Sequence, residues 1–193
     1  MKKLQSIIIN IVFVLFCLLV SYTVSNYLFV TVPVSGISMM DTLQSDDRLL
    51  LYKVGKYKRG DIIVFVSPET VGFPEDKQVL LVKRIIGLPG DTVSITRDPA
   101  TGVCVTYVND KPIDEPYVKD NFTGNTVFSY TQLGDDEFFY MGDNRLDSKD
   151  SRYGLIGTFS KDVIKGRAIL RFIIGNNEDG KFVFDMDAIK RTG

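Results

Sequence analysis

After Lys2 and Lys3 no charged side chain occurs until Asp41, and inside that interval lies IIINIVFVLFCLLVSYTVSNYLFV, Ile7 to Val30, whose only polar groups are amides, hydroxyls and one thiol. As a helix this run rises about 36 Å, more than the roughly 30 Å of a bilayer's hydrocarbon core. A cleaved signal peptide fits poorly. Its apolar region spans only about 7–15 residues and ends at a small-x-small site, whereas this run continues into NYLFVTVPV. A buried core helix of that length is out of proportion to a 193-residue chain. The reading is therefore a retained transmembrane signal-anchor over residues 7–30, preceded by a short cytoplasmic segment, residues 1–6. Lys2 and Lys3 at one end, with nothing basic just after the other, put the N-terminus inside and residues 31–193 outside. Tyr22, Tyr27 and Phe29 mark the outer interface.

Beyond Thr31 the pattern is that of one mainly β domain. The segments 47–54, 60–66, 79–87 and 91–98 are rich in Val, Ile and Leu and bounded by Gly, Pro or Asp. GVCVTYVNDKPI carries a turn signal at Asn109 to Pro112, and further strands are expected at 126–130, 137–141, 166–174 and 181–184. Only FSKDVI, Phe159 to Ile164, invites a helical turn, with Ser160 as its cap. Many short, non-repeating strands favour a folded sheet or a barrel-like body over a propeller. The connection Ser67 to Gln78 holds Val71 and Phe73 between polar ends, a composition open to disorder or to contact with lipid. Asn121-Phe122-Thr123 has the form of a glycosylation acceptor, a tripeptide common by chance.

Net charge is −1, with acidic and basic residues interspersed from Asp46 onward, so no nucleic-acid partner is expected. Cys17 sits in the proposed span and Cys104 in the domain, which makes a disulfide between them implausible.

The chain has no histidine. That excludes an internal Ser-His-Asp triad and an HExxH zinc site, and two separated cysteines cannot form a four-thiolate site. GDNRLDSKD offers carboxylates to magnesium, as many solvated loops do; no metal and no cofactor is expected. A serine nucleophile would need another base. Burial disfavours the ammonium form of lysine and can leave a neutral amine near neutral pH. Lys83, embedded in LLVKRIIGLPGD, has the apolar surroundings for this. Strand alternation sends Lys83 and Arg84 to opposite faces, one towards a site and the other towards solvent. Taken alone, Lys83 reads equally as an edge-strand lysine that discourages aggregation.

Four blocks together resemble bacterial type I signal peptidases: SGISMMDTL at 35–43, RGDIIVF at 59–65, VKRIIGLPGD at 82–91 and GDNRLDSKDSRYG at 142–154. Their order and spacing, and the N-terminal anchor, are those of that family, through at least Gly157. The resemblance implies a signal-peptidase-like β-sheet or barrel-like catalytic domain behind one transmembrane helix, in a bacterial cell membrane. It implies Ser38 as nucleophile, Lys83 as general base, and Ser148 as a hydroxyl that orients the lysine. Asp150 and Arg152 are then an ion pair bracing the site, with Asp143, Asn144 and Arg145 supporting the loop.

The implied reaction removes signal peptides from exported preproteins after a small-x-small motif, through an acyl-enzyme. The implied partners are those preproteins, the lipid bilayer and, transiently, the export machinery. Gly36, Ile37, Met39 and Ile86 are candidates for the substrate-contacting surface, although each of the three side chains also suits core packing. At Gly36 some family members offer a serine hydroxyl to the oxyanion, and here that donor is missing. Asp41 stands where the family commonly has proline, losing its fixed φ and adding a charge that would oppose a neutral lysine if close. The alternative reading is a non-catalytic, signal-peptidase-like membrane protein with a structural or chaperone-like role. A self-cleaving repressor-type Ser-Lys peptidase would need a DNA-binding segment where this chain has its apolar run.

Overall fold

The apolar run forms helix α1, Lys2–Thr23, and continues through a π-helical turn, Val24–Leu28. The computed structural model describes residues 2–118, 126–153, 157–174, 182–185 and 189. The Asn121–Thr123 tripeptide, Lys181 of the last expected strand and Gly154 of the fourth sequence block lie outside them. None of the apolar window within Lys3–Leu28 is buried against the rest of the protein. Two of its polar side chains bond back onto the helix itself: the Thr23 hydroxyl donates to the Leu19 carbonyl at 2.8 Å and the Asn26 amide to that of Tyr22 at 2.8 Å. Satisfying such groups locally is what a lipid surround requires.

The helix stops short of the expected Val30. Phe29 and Val30 open strand β1, Phe29–Pro33, pairing with Tyr52 and Leu51. Aromatic and β-branched residues with a partner strand beside them take the extended form, and Pro33 closes the segment.

Among the described residues eleven more strands follow: β2 (Arg48–Tyr52), β3 (Ile62–Val66), β4 (Leu80–Gly87), β5 (Thr92–Arg97), β6 (Cys104–Val108), β7 (Lys111–Pro112), β8 (Phe128–Gln132), β9 (Glu137–Met141), β10 (Phe159–Ser160), β11 (Ile164–Ile174) and β12 (Phe182–Asp185). An eight-stranded antiparallel sheet runs β1-β2-β11-β3-β4-β9-β10, with β12 on β11. A second sheet runs β7-β6-β5-β8. The expected turn is a two-residue hairpin between β6 and β7, with Asn109 at φ 52° and Asp110 at φ 61°. These are the left-handed values a type I′ turn demands and Asn and Asp tolerate. FSKDVI holds the expected helical turn in shortened form, without the expected side-chain cap. Phe159 and Ser160 pair with β9, only Lys161–Val163 makes a 3₁₀ turn, and Ser160 Oγ donates to Asp136 at 2.6 Å instead of capping.

Strand β3 is buried at every position because both its faces are covered. Ile62 and Val64 join a cluster with Met39, Leu43, Leu49 and Leu51. Ile63 and Phe65 join an aromatic one, in which Phe65 stacks on Phe159 at 4.3 Å and meets Tyr140 edge-on at 4.8 Å. A third cluster, including Ile86, Val93, Ile95 and Phe139, joins the two sheets. Truncating Phe65 to alanine leaves a cavity in the aromatic cluster and lowers stability by about 3–5 kcal/mol, to be read from denaturant unfolding of the full chain in micelles.

Candidate active site

Ser38 sits in a turn anchored on both sides. The chain leaves β1 through Val34, whose N–H donates to the Asp47 carbonyl at 2.8 Å while Asp46 N–H returns to Val34 O at 3.1 Å, closing the loop. Met39 and Leu43 are buried in the first core cluster, and Leu43 N–H donates to Met39 O at 2.8 Å. Ser38 is thus lifted, half-buried, between fixed apolar neighbours. Asp41 adopts φ 74°, a value closed to proline, whose ring holds φ near −65°. The turn seen here is therefore one that a proline at 41 could not make.

Lys83 comes from the middle of β4, buried at 3% exposure, and its Nζ donates to Ser38 Oγ. Burial lowers the Lys83 pKa to about 8. Asp150 opposes that shift, Arg152 reinforces it and Asp143 opposes it. The apolar strand therefore strips water from the ammonium, and a large fraction of neutral amine exists near pH 8.

The loop after β9 closes the site from behind. Arg152 grips Asp150 through Nε–Oδ1 at 2.8 Å and Nη2–Oδ2 at 2.9 Å, both side chains fully buried. Asp150 Oδ2 also accepts the Gly142 N–H at 3.0 Å. Asn144 ties this loop to the serine turn, its side-chain amide donating to Ile37 O at 3.0 Å and its backbone N–H to Ser38 O at 3.1 Å. Arg145 pairs with Glu115 through Nη1 and Nη2 and donates through Nε to Gly142 O at 3.1 Å. Gly142 itself has no alternative: a Cβ there would lie 2.3 Å from Ser148 Oγ and 2.4 Å from Ser38 O.

Several expectations need correction. Arg84 does not reach solvent. It is wholly buried, donating to Asp143 through Nε at 2.8 Å and Nη2 at 2.6 Å and to Gly60 O at 2.8 Å, with its guanidinium 3.9 Å over the Tyr117 ring. Alternation does send Lys83 and Arg84 to opposite sides of β4, but neighbouring elements cover both. The expected Ser148 to Lys83 hydrogen bond is not made. Ser148 Oγ is buried beside Gly142 without a partner among the described residues, and the lysine contacts Ser38 instead. Of the substrate-surface candidates, Gly36 and Ile37 are exposed, whereas Met39 and Ile86 are core residues. The carboxylates acting on Lys83 are Asp150 and Asp143.

Arg84, Thr42, Glu115, Tyr117 and Gly142 were not singled out from sequence. Thr42 Oγ1 donates to Asp143 Oδ2 at 2.6 Å, and Tyr117 OH to Glu115 Oε1 at 2.9 Å. An arginine flanked by aliphatic residues in VKRII was a signal for Arg84, because a buried guanidinium demands a carboxylate. Glu115 and Tyr117, in a polar stretch after a hairpin, carried none.

The chain matches the family model "Signal peptidase, peptidase S26" over residues 7–173. It is 37% identical over 179 residues to Signal peptidase I P of Bacillus subtilis subsp. natto, covering 86% of this chain and 88% of that protein. It is 35% identical over 167 residues to Signal peptidase I of Bacillus licheniformis, covering 79% and 81%. A crystal structure of a signal peptidase I from Enterococcus faecalis aligns with 59% of this chain and 97% of its own, at 28% identity and a TM-score of 0.43.

The Arg84–Asp143 pair yields a stability test. Asp143→Ala strands a buried guanidinium and costs about 3–5 kcal/mol, whereas Arg84→Met with Asp143→Leu recovers most of that loss, as measured by denaturant unfolding of each variant.

Proposed function

The chain belongs to the peptidase S26 family of signal peptidases, and on that premise we propose that it cleaves exported preproteins after a small-x-small motif, through an acyl-enzyme on Ser38 with neutral Lys83 as general base. That it is a serine endopeptidase removing signal peptides, with an N-terminal membrane helix, follows from the family and the apolar helix. The observation that carries the dyad is the contact between Lys83 Nζ and Ser38 Oγ across 45 residues of sequence, at a lysine whose pKa is about 8.

With the amine neutral, the contact reverses its sense, the Ser38 hydroxyl donating to the nitrogen lone pair. The Ser38 proton passes to Lys83 as Oγ bonds the scissile carbonyl carbon, and the resulting ammonium protonates the departing amine as the C–N bond breaks. Lys83, neutral again, takes a proton from water as that water attacks the ester. Ser38 recovers its proton when the acyl group leaves. The oxyanion is met by the Ser38 N–H, which has no protein acceptor among the described residues. Gly36, at φ 90° with open space where a Cβ would stand, supplies no side-chain donor.

Asp150–Arg152, Asp143–Arg84 and Arg145–Glu115 act as positioning pairs that hold the loop against Ser38 and Lys83. Ser148 is the hydroxyl available to the lysine once Ser38 is acylated. Strand β1 lies at a sheet edge and runs into the serine turn, so an extended substrate pairs along it, passing Gly36 and Ile37. Lys2 and Lys3 set the N-terminus in the cytoplasm and the catalytic domain, residues 31–193, outside. Anchoring there puts the site beside substrates whose apolar segments occupy the same bilayer, near the export machinery that delivers them.

Membrane-reconstituted wild type should cleave a preprotein carrying a small-x-small site. Ser38→Ala and Lys83→Ala should each lose on the order of 10⁴-fold or more in rate; equal cleavage by all three would remove the dyad. Because the reactive form is the unprotonated amine, kcat/KM should rise with pH through about 8 and then level. Arg152→Ala removes a charge that lowers the lysine pKa and frees Asp150, which raises it. The midpoint of its pH profile should therefore move to higher pH, a shift that destabilisation alone would not produce.

A further inference from the structure

The strand register gathers one end of the main sheet around the foot of the anchor. Phe29 faces Tyr52, Tyr52 faces Arg167, Ile164 faces Phe65, and Val66 faces Leu80. The start of β1, the end of β2, the start of β11, the end of β3 and the start of β4 therefore all meet where the helical segment ends at Leu28. The connection Ser67 to Gln78 emerges at this end too.

That connection is ordered, with 3₁₀ turns at Pro68–Thr70 and Glu75–Lys77. Thr70 N–H donates to Ser67 O at 2.8 Å, and Gln78 Nε2 holds Phe73 O at 2.9 Å. Its tip presents Val71 and Phe73, 50% and 52% exposed, on either side of Gly72 at φ 88°. Val54, Val79 and Leu80 are similarly uncovered at the same end. Beside them lies a cavity of about 600 Å³ with apolar walls from Tyr27, Val30, Leu80 and Ile164, and with Lys53 and Lys165 among its lining residues. Lys53 spends one proton on Asn26 O at 2.9 Å, and Lys165 faces exposed Glu75 at 3.9 Å. Both ammonium groups retain donors for an anion.

We propose that this cavity binds an anionic phospholipid of the surrounding bilayer, its phosphate between Lys53 and Lys165 and an acyl chain along Tyr27, Val30, Leu80 and Ile164, with Val71 and Phe73 immersed beside it. The occupant is bilayer lipid because the cavity's rim is continuous with the end of the membrane helix: Tyr27 belongs to that helix and Val30 to the strand that follows it. Apolar side chains and lysines at headgroup depth are the elements that bind such a surface. The inference rests on the helix spanning a bilayer, and it adds a second attachment that fixes the tilt of the catalytic domain over the membrane.

The chain has no tryptophan, so Phe73→Trp installs a single reporter in the full-length protein. Reconstituted in phosphatidylcholine bilayers, its emission should be quenched by brominated-acyl lipid, several-fold more strongly by phosphatidylglycerol than by phosphatidylcholine carrying the same label. Adding Lys53→Gln and Lys165→Gln should make the two lipids equal. Equal quenching in the parent would overturn the anionic site, and no quenching by either would overturn the docking. Co-flotation of the same sample with liposomes reports the anchor separately, so flotation without quenching sinks this proposal and leaves the membrane helix standing.

Discussion

The proposed chemistry depends on taking the water away from one ammonium group. Lys83 is held in a strand flanked by Val82 and Ile85, with only 3% of its surface exposed. Desolvation, the largest influence on it, brings its pKa to about 8. Two nearby carboxylates, Asp150 and Asp143, work against that shift. Both are already committed. Asp143 is forked by Arg84 and Asp150 by Arg152, each through two charge-assisted hydrogen bonds. The arginines brace the loop, and Arg152 adds a repulsion that lowers the lysine pKa.

Bringing that lysine to a serine is the work of the main sheet. Ser38 follows an edge strand that grows out of the anchor, while Lys83 lies on β4, separated from β1 by β2, β11 and β3. The gap is bridged by the serine turn, whose buried Met39 and Leu43 pack with Ile62 and Val64 of β3. The loop after β9 then reaches back, with Asn144 holding the carbonyls of Ile37 and Ser38. Gly142 is the point of closest approach. No side chain fits there, because the Ser38 carbonyl and the Ser148 hydroxyl already occupy the space.

The anchor and the site share this architecture. The helix ends directly in β1, β1 ends five residues before Ser38, and the register sets the Ser67–Gln78 connection at the end of the same sheet nearest the helix. Lys83 lies three residues along β4 from Leu80, at that exposed apolar end. The apolar helix and the nucleophile are thereby joined through one sheet.

Much of this was legible in the sequence because it is written in local terms. An uncharged run long enough to span lipid, short Val- and Ile-rich segments between turn residues, Asn-Asp at a hairpin and the absence of histidine each constrain the outcome without reference to distant residues. The four blocks beginning at Ser35, Arg59, Val82 and Gly142 made Ser38 and Lys83 a pair to be tested. Tertiary structure decided the rest, because the remaining questions were about partners. Alternation along β4 separates Lys83 from Arg84, but which side is wet depends on what packs there; Asp143 and Tyr117 cover Arg84, and the serine turn meets Lys83. Met39 and Ile86 look the same in sequence whether they line a substrate surface or a core, and only packing placed them in the core. Helix and strand compete at Phe29 and Val30, and β2 settled it by offering hydrogen bonds that a continuing helix could not. Sequence determined the kinds of element and the reactive groups; long-range contacts determined which groups lost their water and which found a counter-charge.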